Sequence, residues 1–145
     1  MPNKLRVSLK PDEALRATRV SIGKDKLVYV LVANKRIKYA KGRSHIVYIG
    51  TTKKGVARVA QSAAAHAEAI LNLHGVRSFQ ARIITCGPRQ NVETWKKLER
   101  CLLLFFRDEH GEVPRFNSHG KRMKETDEFV YFAKSRIATI MKDLN

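Results

Sequence analysis

Two tyrosines and an arginine in the first half of the chain are the residues best placed to do chemistry. Tyr48 lies near the end of a β-branched and aromatic run, residues 45–49, which predicts a strand that Gly50 ends. Arg58 follows eight residues after that glycine, in the first turn of a predicted helix over residues 55–73. This order brings a phenol and a guanidinium to one edge of the sheet, where we expect the functional site.

A glutamate in the second half of the chain has two possible interpretations. Residues 92–107 carry apolar side chains at helical core spacing, and Glu99 lies beside that apolar stripe. A carboxylate there is either a boundary residue paired with a lysine or arginine, or a group held in a partly dry site for a function. The spacing leaves both interpretations open.

The hydrophobic pattern predicts a small α+β domain. Apolar runs over residues 27–33, 45–49 and 79–86 predict three strands, and the first two are close enough in sequence to pair as an antiparallel hairpin. Helical patterns cover residues 55–73, 92–107 and 125–144. We therefore expect a three-stranded antiparallel sheet flanked by helices in one domain, residues 26–145, behind an N-terminal arm, residues 1–25, whose pattern is mixed.

The charge is strongly positive and unevenly distributed. The chain has 29 Lys and Arg against 13 Asp and Glu, a formal net charge of +16. Residues 1–58 hold 15 basic and 3 acidic residues, whereas residues 59–145 hold 14 and 10. Such an excess favours a polyanionic partner, and we expect nucleic acid, with DNA favoured over RNA. The predicted contacts lie in the hairpin connection (Lys35, Arg36, Lys38, Lys41, Arg43), in the turn after Gly50 (Lys53, Lys54) and on the following helix (His66).

Cysteine usage and hydrophobicity predict a cytoplasmic protein without a membrane span. Cys86 and Cys101 have no CxxC spacing and lie in apolar runs, which is typical of free, structural thiols in a reducing compartment. No stretch approaches the roughly 18 apolar residues of a transmembrane helix. The sequence leaves the oligomeric state open.

The order of these residues resembles the GIY-YIG nuclease family. Residues 27–29, Leu-Val-Tyr, stand where that family has its first tripeptide, and residues 48–50, Tyr-Ile-Gly, match the second. Arg58 is similar to the family arginine of the first helix, Glu99 to the metal-binding glutamate of a later helix, and Asn117 to the asparagine that follows it. The likeness covers roughly residues 27–117 and implies the α+β fold that the hydrophobic pattern predicts.

The chain departs from the family pattern in four places, one of which is the long hairpin loop between the two tyrosines. The glycine of the first tripeptide is Leu27, and Thr51 follows Gly50 where relatives often carry a basic residue. One turn after Arg58, where relatives often have His or Tyr, the chain has Ser62, with His66 a further turn on.

The resemblance implies a metal-dependent endonuclease that hydrolyses phosphodiester bonds in DNA. A single Mg²⁺ or Mn²⁺ would be held by Glu99, because Mg²⁺ needs only one or two carboxylates beside its waters and the substrate phosphate. Tyr29 would be the general base with Tyr48 hydrogen-bonded to it or to the water, although the reverse assignment is also permitted. Arg58 would bind the scissile phosphate. Asn117 would orient a tyrosine or hold the glutamate loop.

Two other functions fit the same residues. The first is a non-catalytic nucleic-acid-binding module with the same fold, which the serine at position 62 and the missing glycine favour. The second is a small RNA-binding accessory protein. Strand tyrosines are usually packing residues, and a lone arginine usually makes a surface contact. The nuclease requires these side chains to lie close together in space, whereas the other two functions do not.

Overall fold

A computed structural model describes residues 3–13, 16 and 24–145. Three antiparallel strands form one sheet in the order β2-β1-β3: β1 (Leu27–Lys38), β2 (Arg43–Thr52) and β3 (Phe79–Ile84). The helices in this part of the chain are α1 (Val56–Leu71), α2 (Thr94–His110), α3 (Glu128–Tyr131) and α4 (Lys134–Leu144). The α+β class and the three-stranded antiparallel sheet are therefore confirmed.

The central strand is buried on both faces. Val28, Tyr29, Val30 and Leu31 are all buried, and since successive strand residues point to opposite faces, helices must cover the sheet on each side. Helix α1 covers the face that carries Tyr29, and α2 packs against β1 and β2. The position of Tyr29 is thus fixed by the most protected element of the fold.

The connection between the first two strands is a short turn and not the connection over residues 34–44 that the predicted strands leave between them. Both strands extend well beyond the predicted runs, so the turn is reduced to residues 39–42. Tyr39 anchors it, since its hydroxyl donates to Ile46 O (2.6 Å) and its ring packs edge-on against Phe106. Lys41 N also donates to His110 O at the end of α2 (2.8 Å). The turn is held down on α2.

The predicted last helix, residues 125–144, is interrupted. Phe132 and Ala133 have extended backbone between α3 and α4, although the apolar spacing runs on through both. Glu128 is completely buried at the start of α3 and accepts hydrogen bonds from Arg100 Nε (2.5 Å) and Thr126 N (2.7 Å). The position of α3 therefore depends on a contact with α2, and the spacing of apolar residues does not reveal that contact.

The N-terminal arm has no helix or strand over residues 3–13. Residues 1–2, 14–15 and 17–23 of the predicted arm lie outside the described residues. A bilayer-spanning helix needs about 20 mainly apolar residues, and none of the helices within the described ranges has that length and hydrophobicity.

Candidate active site

The side chains of Tyr29 and Tyr48 lie close together above Gly50. In the β1–β2 ladder Tyr29 lies opposite Gly50, and Tyr48 precedes Gly50 by two residues, so both side chains share one face. Their ring centroids are 5.8 Å apart. A Cβ at Gly50 would lie 2.6 Å from Cε1 of Tyr48 and 2.7 Å from Cζ of Tyr29, which no real side chain tolerates. The missing side chain is what allows the two phenols to approach.

Helix α1 supplies the partner of the first tyrosine. The Tyr29 hydroxyl donates to Ser62 Oγ at 2.7 Å, and both residues are buried. One turn later His66 Nδ1 lies 2.9 Å from the Ser62 carbonyl oxygen, so this nitrogen carries the proton, and the imidazole ring packs 4.4 Å from the Tyr48 ring. Ser62 and His66 thus form the wall of the site behind the two phenols.

Asn117 holds the edge of β2 beside Tyr48. Its Oδ1 accepts from Ile49 N (3.0 Å) and its Nδ2 donates to Ile49 O (2.8 Å), while the neighbouring Phe116 N donates to Val47 O (3.0 Å). Residues 116–117 therefore pair with β2 almost as a fourth strand would. The predicted supporting residue fixes the backbone around Tyr48 and contacts neither tyrosine hydroxyl directly.

Arg58 and Glu99 both act electrostatically on Tyr48. Burial raises the pKa of Tyr48 far above its ordinary value, the adjacent Tyr29 and the Glu99 carboxylate raise it further, and the Arg58 guanidinium opposes them. Arg58 itself is exposed and reaches Gln61 Oε1 at 3.1 Å. Residues that are 70 positions apart in sequence therefore converge on one phenol.

The Glu99 carboxylate is half-buried and free of direct partners in the described part of the chain, where no hydrogen bond or ion pair involves it. Burial raises its pKa, and the charges of His119, Arg100 and Lys96 act in the opposite direction. Among the described residues no group of three or more His, Cys, Asp or Glu side chains could hold a metal ion. One free carboxylate fits a largely hydrated divalent ion that takes its remaining ligands from a substrate phosphate.

The predicted nucleic-acid contacts fall into two separate groups. Lys53 and Lys54 directly follow β2, three and four residues beyond Gly50, at the end of the strand that carries the tyrosine pair. The exposed residues of the hairpin end lie at the far end of the strands: Lys35, Arg36, Lys38, Lys41 and Arg43. Nine residues separate Tyr29 from Lys38 along β1, which corresponds to about 30 Å at roughly 3.3 Å per residue. The hairpin end therefore lies away from the tyrosine pair.

The sequence did not predict the roles of two residues at this site. Ser62 stood only as a departure from the family pattern, and its contact with Tyr29 depends on how α1 is rotated about its axis. His119 was unassigned, and its charge lies close enough to Glu99 to lower the pKa of that carboxyl. Ser62 lies four residues after Arg58 on the same helical face, and this spacing is the sequence feature that could have placed it at the site.

No protein-family model, curated protein or solved structure matches this chain. The likeness to GIY-YIG nucleases consists of the order of residues along the sequence.

Proposed function

We propose that the chain is a divalent-metal-dependent endonuclease of the GIY-YIG type that hydrolyses phosphodiester bonds in DNA. The observation that carries the proposal is the convergence at Gly50: two phenols share the space above it, and the Arg58 and Glu99 charges both act on Tyr48. A purely structural pair of strand tyrosines would not need an exposed arginine and an unpaired, half-buried carboxylate beside it.

The surroundings favour Tyr29 over Tyr48 as the general base. Because burial and Glu99 raise the pKa of Tyr48, its hydroxyl stays protonated at neutral pH and acts as a hydrogen-bond donor. Tyr29 has Ser62 as a partner in both of its states: the phenol donates to Ser62 Oγ, and once ionised its oxygen accepts from the serine hydroxyl.

In the proposed reaction the Tyr29 phenolate takes a proton from a water molecule, whose oxygen attacks phosphorus while the bond to the leaving sugar oxygen breaks. Arg58 donates its planar pair of N–H groups to the phosphate oxygens and stabilises the charge that develops there. Glu99 would hold Mg²⁺ or Mn²⁺, which supplies charge neutralisation at the phosphate and at the leaving oxygen when bound.

Plasmid nicking with Mg²⁺ tests the function. We expect Glu99→Gln and Tyr29→Phe to lower the rate at least 100-fold, the order expected for loss of a general base or of charge stabilisation. Glu109→Gln makes the same change at an exposed position of α2 and should cut like the parent chain. DNA affinity is measured on each variant in parallel, so that loss of turnover is separated from loss of binding.

Two results would refute the proposal. Nicking that survives in both Glu99→Gln and Tyr29→Phe would come from another protein or another site. Tight DNA binding by the parent chain without any cutting, at any divalent ion tried, would favour the non-catalytic binding module.

A further inference from the structure

The N-terminal arm carries a row of aliphatic side chains with no covering. Leu5, Val7 and Leu9 are 92%, 93% and 97% exposed. They alternate with Arg6 and Ser8, which is the period-two pattern of a strand with one apolar and one polar face. Single exposed aliphatic residues are common on protein surfaces, but three in strand register form a surface that favours a partner.

The sheet has a complementary free edge. Strand β3 is the last strand in the order β2-β1-β3, and no further strand pairs with it among the described residues. Beside this edge an open groove of about 570 Å³ runs between β3 and α4. Its apolar walls include Ile84, Leu98, Ile137 and Ile140, and Cys86 lies at the end of the strand. The fold therefore offers unpaired backbone groups next to an apolar trough.

We propose that residues 4–10 of one protomer add as a fourth strand to the β3 edge of its partner, reciprocally, so that the chain forms a symmetric arm-exchanged dimer. Backbone hydrogen bonds along β3 would supply affinity, and alternate side chains would enter the groove, as in other cases of strand addition to a sheet edge. Leu5, Val7 and Leu9 are the alternate set that faces the groove, and Arg6 and Ser8 face solvent. Exchange in both directions makes the interface isologous, which is the commonest closed arrangement.

The buried area favours reciprocal exchange between two copies. Burying an aliphatic side chain removes roughly 60–120 Å² of apolar surface, the area that corresponds to its transfer free energy. Three such residues and the groove walls that they cover bury about 400–700 Å² in total for one arm. Stable interfaces begin near about 1,200 Å². Exchange of one arm alone falls short of that value, whereas two reciprocal arms bury about 800–1,400 Å², a range that includes it.

A cysteine scan tests which chain the arm occupies. Cys86 lines the groove and Cys101 is buried, so a cysteine placed in the arm has one native partner within reach. After oxidation with diamide, we expect the one of Leu5→Cys, Val7→Cys and Leu9→Cys that lies beside Cys86 to form a covalent dimer on a non-reducing gel, because a disulfide needs Cβ atoms about 4 Å apart. Arg6→Cys and Ser8→Cys, on the other face, should remain monomeric. A disulfide within one chain would place the arm on its own groove, and equal dimer formation by both sets would show random collision; either result overturns the proposal.

Sedimentation velocity tests the dimer without any disulfide. High salt is used because it screens repulsion between two chains that each carry a formal charge of +16. We expect the parent chain to be dimeric, and the triple change Leu5→Asn, Val7→Asn, Leu9→Asn to raise the dimer dissociation constant at least tenfold. The matched triple Arg6→Asn, Ser8→Asn, Lys10→Asn introduces the same side chains on the other face and should remain dimeric.

A monomeric parent chain, or equal loss of dimer affinity in the two triple variants, would overturn the arm-exchanged dimer. Neither measurement involves nucleic acid or metal. A failure here therefore leaves the proposed nuclease activity as it was, and loss of nicking in the earlier test leaves the dimer unaffected.

Discussion

Gly50 is the residue on which the geometry of the tyrosine pair depends. Its backbone is not in the left-handed region, in contrast to five other glycines of the described chain, so any residue could adopt its conformation. The space above it is the only constraint, because both tyrosine rings occupy the position of a Cβ. A substitution here therefore tests the site itself and not the backbone.

We expect Gly50→Ala to lower the free energy of unfolding by about 1–3 kcal/mol, the usual cost of overpacking, since Tyr29 is buried and cannot swing away. The nicking rate should fall by more than the loss of folded protein accounts for, because the added methyl group separates the two phenols. Urea denaturation and plasmid nicking measure the two effects. Gly87→Ala is the control, as nothing lies within 4 Å of its Cβ position. Equal behaviour of the two variants would show that the close approach at Gly50 has no consequence.

Residue order was enough to predict which side chains would meet at Tyr48, but their support could not be derived in the same way. Tyr29, Arg58 and Glu99 each have a recognisable position relative to a predicted strand or helix. The roles of Ser62 and Gly50 appear only once the strand register and the rotation of α1 are known. A serine on an alanine-rich helix is otherwise indistinguishable from a solvated surface residue.

An ion pair with a buried carboxylate joins α3 to α2. Glu128 at the start of α3 is fully buried against Arg100 of α2. Burial alone would raise the pKa of Glu128, but the Arg100 hydrogen bond and the Thr126 N–H outweigh it and lower the pKa to about 2. The carboxylate is therefore held in its ionised form by the folded structure.

This lowered pKa predicts how stability changes with pH. Because the pKa of Glu128 rises from about 2 to its ordinary 4.5 on unfolding, its contribution is fully present above about pH 4.5 and is lost as pH falls toward 2. The difference corresponds to roughly 3 kcal/mol. We expect Glu128→Gln to lose about that much at pH 7 and to show a flatter stability profile below pH 4.5, as measured by urea denaturation.

The control for this prediction is Glu125→Gln. Glu125 pairs with Lys134 at 3.9 Å with both side chains largely exposed, so its removal should change the free energy of unfolding by less than about 0.5 kcal/mol. A Glu128→Gln chain that kept the acid sensitivity of the parent would refute the assignment to this carboxylate.

The elements themselves were predictable to the extent that local periodicity determines them. Apolar runs located all three strands, yet β1 and β2 extend through Lys35, Arg36 and Arg43, which have no strand pattern of their own. Arg43 pairs with Lys38 across the ladder, whereas Lys35 and Arg36 lie where the register between Val32 and Ile37 is interrupted. Tyr39 contacts Phe106 of α2 just beyond this end of the ladder. The break before α4 has no local signal either, and the Glu128 contact that holds α3 is made with Arg100, 28 residues away in sequence.

Two groups of exposed basic residues lie at opposite ends of the first two strands. Lys53 and Lys54 lie beside the tyrosine pair, and the hairpin end carries Lys38, Lys41 and Arg43 about 30 Å away along β1. Duplex DNA rises about 3.4 Å per base pair, so that distance corresponds to roughly nine base pairs. A ligand must exceed this length to contact both groups from one site.

The separation predicts that affinity depends on duplex length in a way that single contacts do not. On a duplex of about 20 base pairs, Lys38→Gln, Lys41→Gln, Arg43→Gln together should weaken binding and reduce the slope of log K against log salt by about 2.7, or about 0.9 per lost phosphate contact. On a duplex of about six base pairs bound at the tyrosine site, the same triple change should have little effect, because the hairpin end is out of reach. The double change Lys53→Gln, Lys54→Gln should weaken binding to both duplexes.

Fluorescence anisotropy in the Glu99→Gln background measures the affinity of both variants for both duplexes without cleavage. A hairpin variant that loses as much affinity for the short duplex as for the long one would show that the two basic groups contact a single, compact binding site.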